Sequence, residues 1–212
     1  MPAAAVGGDL YDFLEISGDH LVVLIGDVSG KGVPAALMMA KVISDFRAAA
    51  TRAAAPAAIL AELNAGLAAQ TRRGMFVTAA CLDLDAEGGR VAYADAGHLP
   101  LLWHRRRGGA VETFEPEGGP PLGIVPGAEY PEQHLALGPG DTLLLYTDGV
   151  VEARGPEAAP FGLARMAAVM GDRLPATGDL VGDILAAVRA HADGTPLHDD
   201  LTMVAVRWRP GN

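Results

Sequence analysis

Cysteine is nearly absent: Cys81 is the only one among 212 residues. A lone thiol excludes a disulfide framework and any zinc site built from several cysteines. It also fits a reducing compartment better than secretion. Positive charge is scarce, with 16 Lys and Arg against 26 Asp and Glu and a net charge of −10. Such a chain is a poor candidate for gripping a nucleic-acid backbone, which demands basic surface. The one basic cluster, Arg105-Arg106-Arg107, stands beside Gly108-Gly109 and reads as a hairpin tip. Long apolar runs are missing too. The stretches 21–25 and 143–146 are strand-sized, far short of the roughly 18 residues that span a bilayer. Residues 1–5 carry neither a basic start nor a long apolar stretch, so no signal peptide is expected in them. The expected setting is the cytoplasm, with no membrane insertion of this segment.

What is present is apolar material in quantity. Half the residues are hydrophobic, with 27 Gly and 15 Pro between them. That excludes disorder for most of the chain and supports one core, hence one domain over 1–212. The β-branched run 21–25 reads as a strand buried on both faces, ending in the glycine-rich loop 26–32. Pro34 opens a long helix through Phe46, where proline in the first turn is tolerated. A second helix is expected over 56–70. Strands then follow at 76–85 and 90–96 about one turn, and at 101–104 and 111–114 about the arginine tip. Two more, 133–137 and 142–147, flank the turn 138–141. Helices near 163–170 and 180–191 precede a closing strand at 201–208. Strands grouped between helix pairs suggest a β-sandwich flanked by helices, not a regular βαβ sheet.

Four aspartates share one context, the end of a strand beside Gly, Thr or another Asp: Asp9, Asp27, Asp148 and Asp199. Each alone is an ordinary turn residue. Four together also suit a hard divalent ion, which takes oxygen ligands. Both readings stand on residue type alone. Three other patterns fail. The loop 26–32 has its lysine too early for a phosphate loop, and Gly32 stands where Ser or Thr should bind magnesium. Gly7-Gly8-Asp9 lacks the rest of a cyclic-dinucleotide cyclase motif. Ser29 has no His and Asp set with the spacing of a serine hydrolase.

Six blocks occur in order along the chain: GGDLYDF (7–13), GDVSGKGVPAALMMA (26–40), MFVTA (75–79), AGHLP (96–100), TDGVVEA (147–153) and DDLTMVAV (199–206). Together they resemble the SpoIIE/RsbU-type branch of the PPM phosphatases, bacterial relatives of protein phosphatase 2C. The resemblance implies an α+β fold, a four-layer α/β/β/α sandwich, with two Mn²⁺ or Mg²⁺ ions at one end of the strands. Carried over block by block, Asp27 bridges both ions and Val28 lends its carbonyl to one. Asp148 and Asp199 complete the other ion's ligands, and Asp9 binds the ion at Asp27 and Val28 directly or through water. Asp12 is expected to support ligands from behind, and Asp200 to cap its turn. Gly26, Gly30 and Gly32 let the backbone pass close to the ions. Gly97, His98 and Pro100 match a block of underived role, with His98 expected to shape the core or a loop.

The implied activity is hydrolysis of phosphoserine or phosphothreonine on a protein by direct attack of metal-activated water. Two cations about 4 Å apart acidify a bridging water and stabilise the phosphoryl transition state. In this branch the substrate is typically a STAS-type anti-anti-sigma factor in a partner-switching pathway. The alternative is a catalytically weak module of the same fold that only docks such a partner. An upstream sensor domain and a homodimer are both left open. Two departures stand out. Ser29 occupies the position where eukaryotic relatives carry a histidine proposed as general acid. Only residues 1–6 precede the first block, where the family usually has a further strand, so the chain reads as N-terminally clipped. The loop-rich stretch 116–131, with Leu122, Ile124 and Val125, is a candidate docking surface for the substrate protein.

Overall fold

The computed structural model describes residues 7–16, 18–52, 55–69, 74–173 and 178–211. The expectations on residues 1–6, on Ser17 and on the end of the second helix at Gln70 lie outside these.

Among the described residues nine strands form two antiparallel sheets. The first contains β1 (Asp9–Ile16), β2 (His20–Val28), β3 (Val77–Asp85), β4 (Arg90–Ala96) and β7 (Glu132–Ala136), hydrogen-bonded in that order. The second has the order β6 (Val111–Phe114), β5 (Leu101–His104), β8 (Thr142–Tyr146), β9 (Met203–Arg207). Five helices stand among the described residues: α1 (Val33–Ala50), α2 (Pro56–Ala68), α3 (Asp148–Glu152), α4 (Leu163–Arg173) and α5 (Leu180–Ala192).

Three apolar layers glue four structural ones. Val22 and Leu24 of β2 pack outward against Val42 and Phe46 of α1 and Ile59, Leu60 and Leu63 of α2. Val23 and Ile25 point the other way, with Leu82 and Tyr93, against Trp103, Leu143 and Val206 of the second sheet. This is why the run 22–25 lacks polar alternation: a strand between two apolar layers buries both faces. Leu102 and Leu144 turn outward onto Met166, Met170, Ile184 and Val188 of α4 and α5. The α/β/β/α sandwich is therefore as expected. Phe46 is fully buried, and its truncation to Ala costs about 3–5 kcal/mol.

Three local features differ from the sequence reading. β1 is a full strand, obscured because apolar residues occur on both of its faces. Leu10 and Leu14 face α1, whereas Tyr11 and Phe13 are exposed at 55% and 59%. Asp12 shares the helix-facing side and is accommodated there by Arg47, whose Nε and Nη2 donate to its two carboxylate oxygens at 2.6 and 2.9 Å. The short helix α3 carries too few residues to leave a period. Finally, β7 and β8 flank one turn yet lie in different sheets, β7 on β4 and β8 on β5 and β9. Asp141 holds that crossover. It accepts from Gly138 N–H at 3.0 Å, Arg106 N–H at 2.8 Å and Trp103 Nε1–H at 3.1 Å. Arg105 to Arg107 do form the hairpin tip, with the Arg105 guanidinium 3.3 Å over the Trp103 ring.

Candidate metal centre

Antiparallel pairing brings distant aspartates to one end of the sandwich. Asp9 opens β1 and faces Asp27 near the end of β2. In the other sheet β8 delivers Thr147 and Asp148 to the same end, and residues 199–200 lead into its neighbour β9. The two sheets are tied there by side chains. Thr147 Oγ1 donates to Asp9 Oδ2 at 2.7 Å, while its main-chain N–H donates to the Thr202 carbonyl at 3.0 Å and continues the β8–β9 pairing within the second sheet. Gly8 N–H donates to Asp200 Oδ2 at 3.0 Å. The approach of 148–149 to 199–200 is close enough that a Cβ on Gly149 would overlap the Asp200 carbonyl oxygen. Only glycine fits there.

The electrostatics follow from this crowding. Asp27 is pushed up to about 7, first by burial and then by the charges of Asp9, Asp148, Asp199 and Asp200. Asp9 is raised as well, mainly by burial, with the Thr147 and Thr202 hydrogen bonds opposing the shift and Asp200 and Asp148 adding to it. A cluster of this kind is short of positive charge, which a divalent cation supplies. The donor set is all oxygen, as Mn²⁺ and Mg²⁺ require. Val28 adds to it: a Cβ on Gly8 would lie 2.9 Å from the Val28 carbonyl oxygen and 3.3 Å from Asp27 Oδ1. Both oxygens thus border the same space beside Gly8. The carboxylates are gathered but not closed into a coordination shell. Among the described residues no three His, Cys, Asp or Glu side chains form a metal-holding group. Asp9 is turned to Thr147, and Asp199 is engaged by Lys31 Nζ at 3.0 Å.

Beside the cluster lies a cleft of about 260 Å³ lined by Asp27, Asp148, Ser29, Phe76, Thr78 and His98. Ser29 Oγ accepts from Phe76 N–H at 2.8 Å, which fixes the hydroxyl at the cleft wall. His98 Nδ1 lies 3.3 Å from Thr78 Oγ1, and its Nε2 is buried without a hydrogen-bond partner. Burial depresses this histidine to about 4, so it is neutral at pH 7.

The comparisons with known proteins fit this architecture. The profile of the family described as stage II sporulation protein E (SpoIIE) matches residues 17–209. The chain belongs to the SpoIIE family. It is 28% identical to protein IcfG of Synechocystis over 97% of this chain, which is 36% of that protein. It is 26% identical to the phosphoserine phosphatase RsbU of Bacillus subtilis over 98% of this chain and 61% of that one. The chain thus spans only part of these relatives. Among solved structures, the SiaA-PP2C domain of Pseudomonas aeruginosa superposes with a TM-score of 0.85 at 25% identity, covering 98% of this chain and 83% of that one.

Within this SpoIIE-family fold, Asp9, Asp27, Asp148 and Asp199 all reach one end of the sandwich. Asp200 accepts from Gly8 N–H, across from its own turn, and adds charge beside Asp27. Asp12 bonds Arg47 on the α1 side. Gly30 and Gly32 have φ of 101° and 80° with open space where a Cβ would go; a left-handed backbone, not closeness, is what calls for glycine. The main-chain N–H of His98 donates to Asp95 Oδ2 at 3.2 Å, while its imidazole stands at the cleft wall beside Thr78. Sequence reasoning passed over Asp95, Thr147 and Lys31. Asp95 accepts from the N–H groups of Gly97 and His98. Burial raises it to about 6 against those bonds. Thr147 could have been found from its place directly before Asp148 in a strand-end block. Lys31 had no signal beyond being the one cation in the loop 26–32.

Proposed function

We propose that the chain is a metal-dependent protein phosphatase that hydrolyses phosphoserine or phosphothreonine on a regulatory protein, a STAS-type anti-anti-sigma factor in a partner-switching pathway. The observation that carries this is the convergence of Asp9, Asp148, Asp199 and Asp200 on Asp27, whose carboxyl is raised to about 7. The name of the relative RsbU, a phosphoserine phosphatase, supports the same chemistry. Asp27, Val28 and Asp9 would hold one ion, and Asp27, Asp148 and Asp199 the other. Two such ions supply an acidified water and neutralise charge on the phosphoryl group.

The chain's own residues set the stage. Thr147 keeps Asp9 in place from the opposite sheet. Ser29 and Thr78 present hydroxyls at the cleft wall, where the phosphorylated side chain enters. Hydrolysis joins the water oxygen to phosphorus, breaks the bond to the serine or threonine oxygen, and returns a proton to that oxygen. Ser29 stands where a histidine serves relatives, and neutral His98 holds no spare proton at pH 7, so solvent in the open cleft is the proton source. Cys81 is buried and takes no part. The test is direct. A phosphorylated STAS protein is incubated with the chain and Mn²⁺, and phosphate release is followed with and without EDTA. Release abolished by EDTA supports the reading. Stable binding without release points to the docking module instead.

A further inference from the structure

The loop that carries Asp27 ends in a cation aimed back at the cluster. Lys31 Nζ lies 3.0 Å from Asp199 Oδ2 and donates to the His198 carbonyl at 2.9 Å. The left-handed turns at Gly30 and Gly32 bracket it. The pair is accessible, with 63% of the Lys31 side chain and 48% of the Asp199 side chain exposed. Exposed ion pairs add little to stability, so the fold has little need of this one. Its position has a consequence for ligands. A cation held by Asp199 would sit beside the Lys31 ammonium, and an anion drawn to that cation would meet the lysine as well.

Lys31 lines a second groove of about 310 Å³, beside the one at Asp27 and Asp148, with Arg154, His198, Asp199 and Glu152. It faces the cluster through Asp199, and the charges of Asp199, Asp200 and Asp148 favour its charged form. In a chain of net charge −10, a phosphate monoester dianion approaching four aspartates meets repulsion. A positive charge beside Asp199 offsets it and draws the anion in. Lysine suits the task, being a compact, mobile point charge with three donors.

We propose that Lys31 is a catalytic residue that binds the phosphoryl oxygens of the substrate while sharing Asp199 with the bound cation. The assignment rests on the metal-phosphatase reading above. It has a two-sided signature. Lys31 repels a divalent ion at Asp199 and attracts a phosphate beside it, so removing its charge must move the two affinities in opposite directions. A lysine that only tethers the 198–199 turn would move both the same way or neither.

The experiment is calorimetry on wild type, Lys31→Met and Lys31→Arg, titrating Mn²⁺ alone and then inorganic phosphate in saturating Mn²⁺. Melting curves confirm that each variant is folded. Lys31→Met is expected to tighten Mn²⁺ binding by about threefold, the loss of one opposing charge near the surface. Phosphate binding should weaken by about 10-fold or more, as for a lost charge-assisted hydrogen bond. Lys31→Arg should stay near wild type on both. Wild type that binds Mn²⁺ while Lys31→Met matches it in both titrations overturns the assignment and leaves the metal reading standing. Joint weakening of both affinities also overturns it, in favour of a tether. Wild type that binds no Mn²⁺ removes the metal reading and this assignment with it.

Discussion

Asp9 and Asp27 stand directly opposite each other across the β1–β2 ladder, and the hydroxyl that steadies Asp9 comes from Thr147 of the other sheet. Two like charges side by side on neighbouring strands are unfavourable. Here a third element holds one of them, and burial raises both. A sheet end arranged in this way is primed to take up positive charge.

Thr147→Val keeps the shape of the side chain and removes the hydroxyl. Partners of this kind, which orient a ligand without touching the ion, typically cost 10–100-fold in metal affinity, or about 10-fold at least. Calorimetry with Mn²⁺ checks it. An unchanged affinity would show that Asp9 needs no steadying.

The metal-free protein should be less stable at neutral than at mildly acidic pH, in part because of Asp27. Its folded-state value of about 7 exceeds the ordinary 3.8. The folded chain therefore binds more protons than the unfolded one between these values, and stability falls as pH rises through that window. Asp27→Asn should flatten part of the slope. Melting temperatures in EDTA from pH 4 to 8 decide the matter; identical slopes in the two proteins would contradict the crowding at Asp27.

Mn²⁺ should raise the melting temperature by mass action, because the carboxylates converge only in the folded chain. At 100 times the dissociation constant one site adds about 2.7 kcal/mol. For a chain of this size each kcal/mol is worth about 2–4 °C. Melting curves across a Mn²⁺ series should rise steadily, whereas a flat response would place the aspartates too far apart to share an ion.

The loop 116–131 divides into two parts. Leu122 is fully buried, and its strand-like bridge to Val77 makes it part of the scaffold. Ile124 and Val125 are 51% and 45% exposed, on a loop fastened to α2 through Asn64, which bonds Gly123 N–H and the Val125 carbonyl. Ile124→Asp should lower kcat/KM on a phosphorylated STAS protein by about 10-fold, in line with loss of one well-packed interface residue, and leave p-nitrophenyl phosphate hydrolysis unchanged. Equal effects on the two substrates would remove the loop as a docking surface.

Much of this was legible from residue order because each layer has its own pattern. The run 21–25 is apolar throughout since it lies between two cores, and Gly108-Gly109 marks the β5–β6 turn by composition. β1 was hidden because Tyr11 and Phe13 are apolar yet exposed while Asp12 is polar yet buried, and together these erase the alternation. The allocation of β7 and β8 to different sheets depends on Asp141 reaching Trp103, 38 positions away, and no local pattern encodes that. The four aspartates of the centre came from motif blocks. Thr147 and Lys31 stand in the same blocks, but their roles were not legible there, because their partners Asp9 and Asp199 are 138 and 168 positions distant.

The most direct test of the central reading is phosphate release from a phosphorylated STAS protein as Mn²⁺ is titrated, for wild type and Asp27→Asn. The account predicts saturable, Mn²⁺-dependent release by wild type and a loss of about 100-fold or more in the variant, since one substitution removes charge from both ions. Turnover in Asp27→Asn equal to wild type at every Mn²⁺ concentration would contradict it.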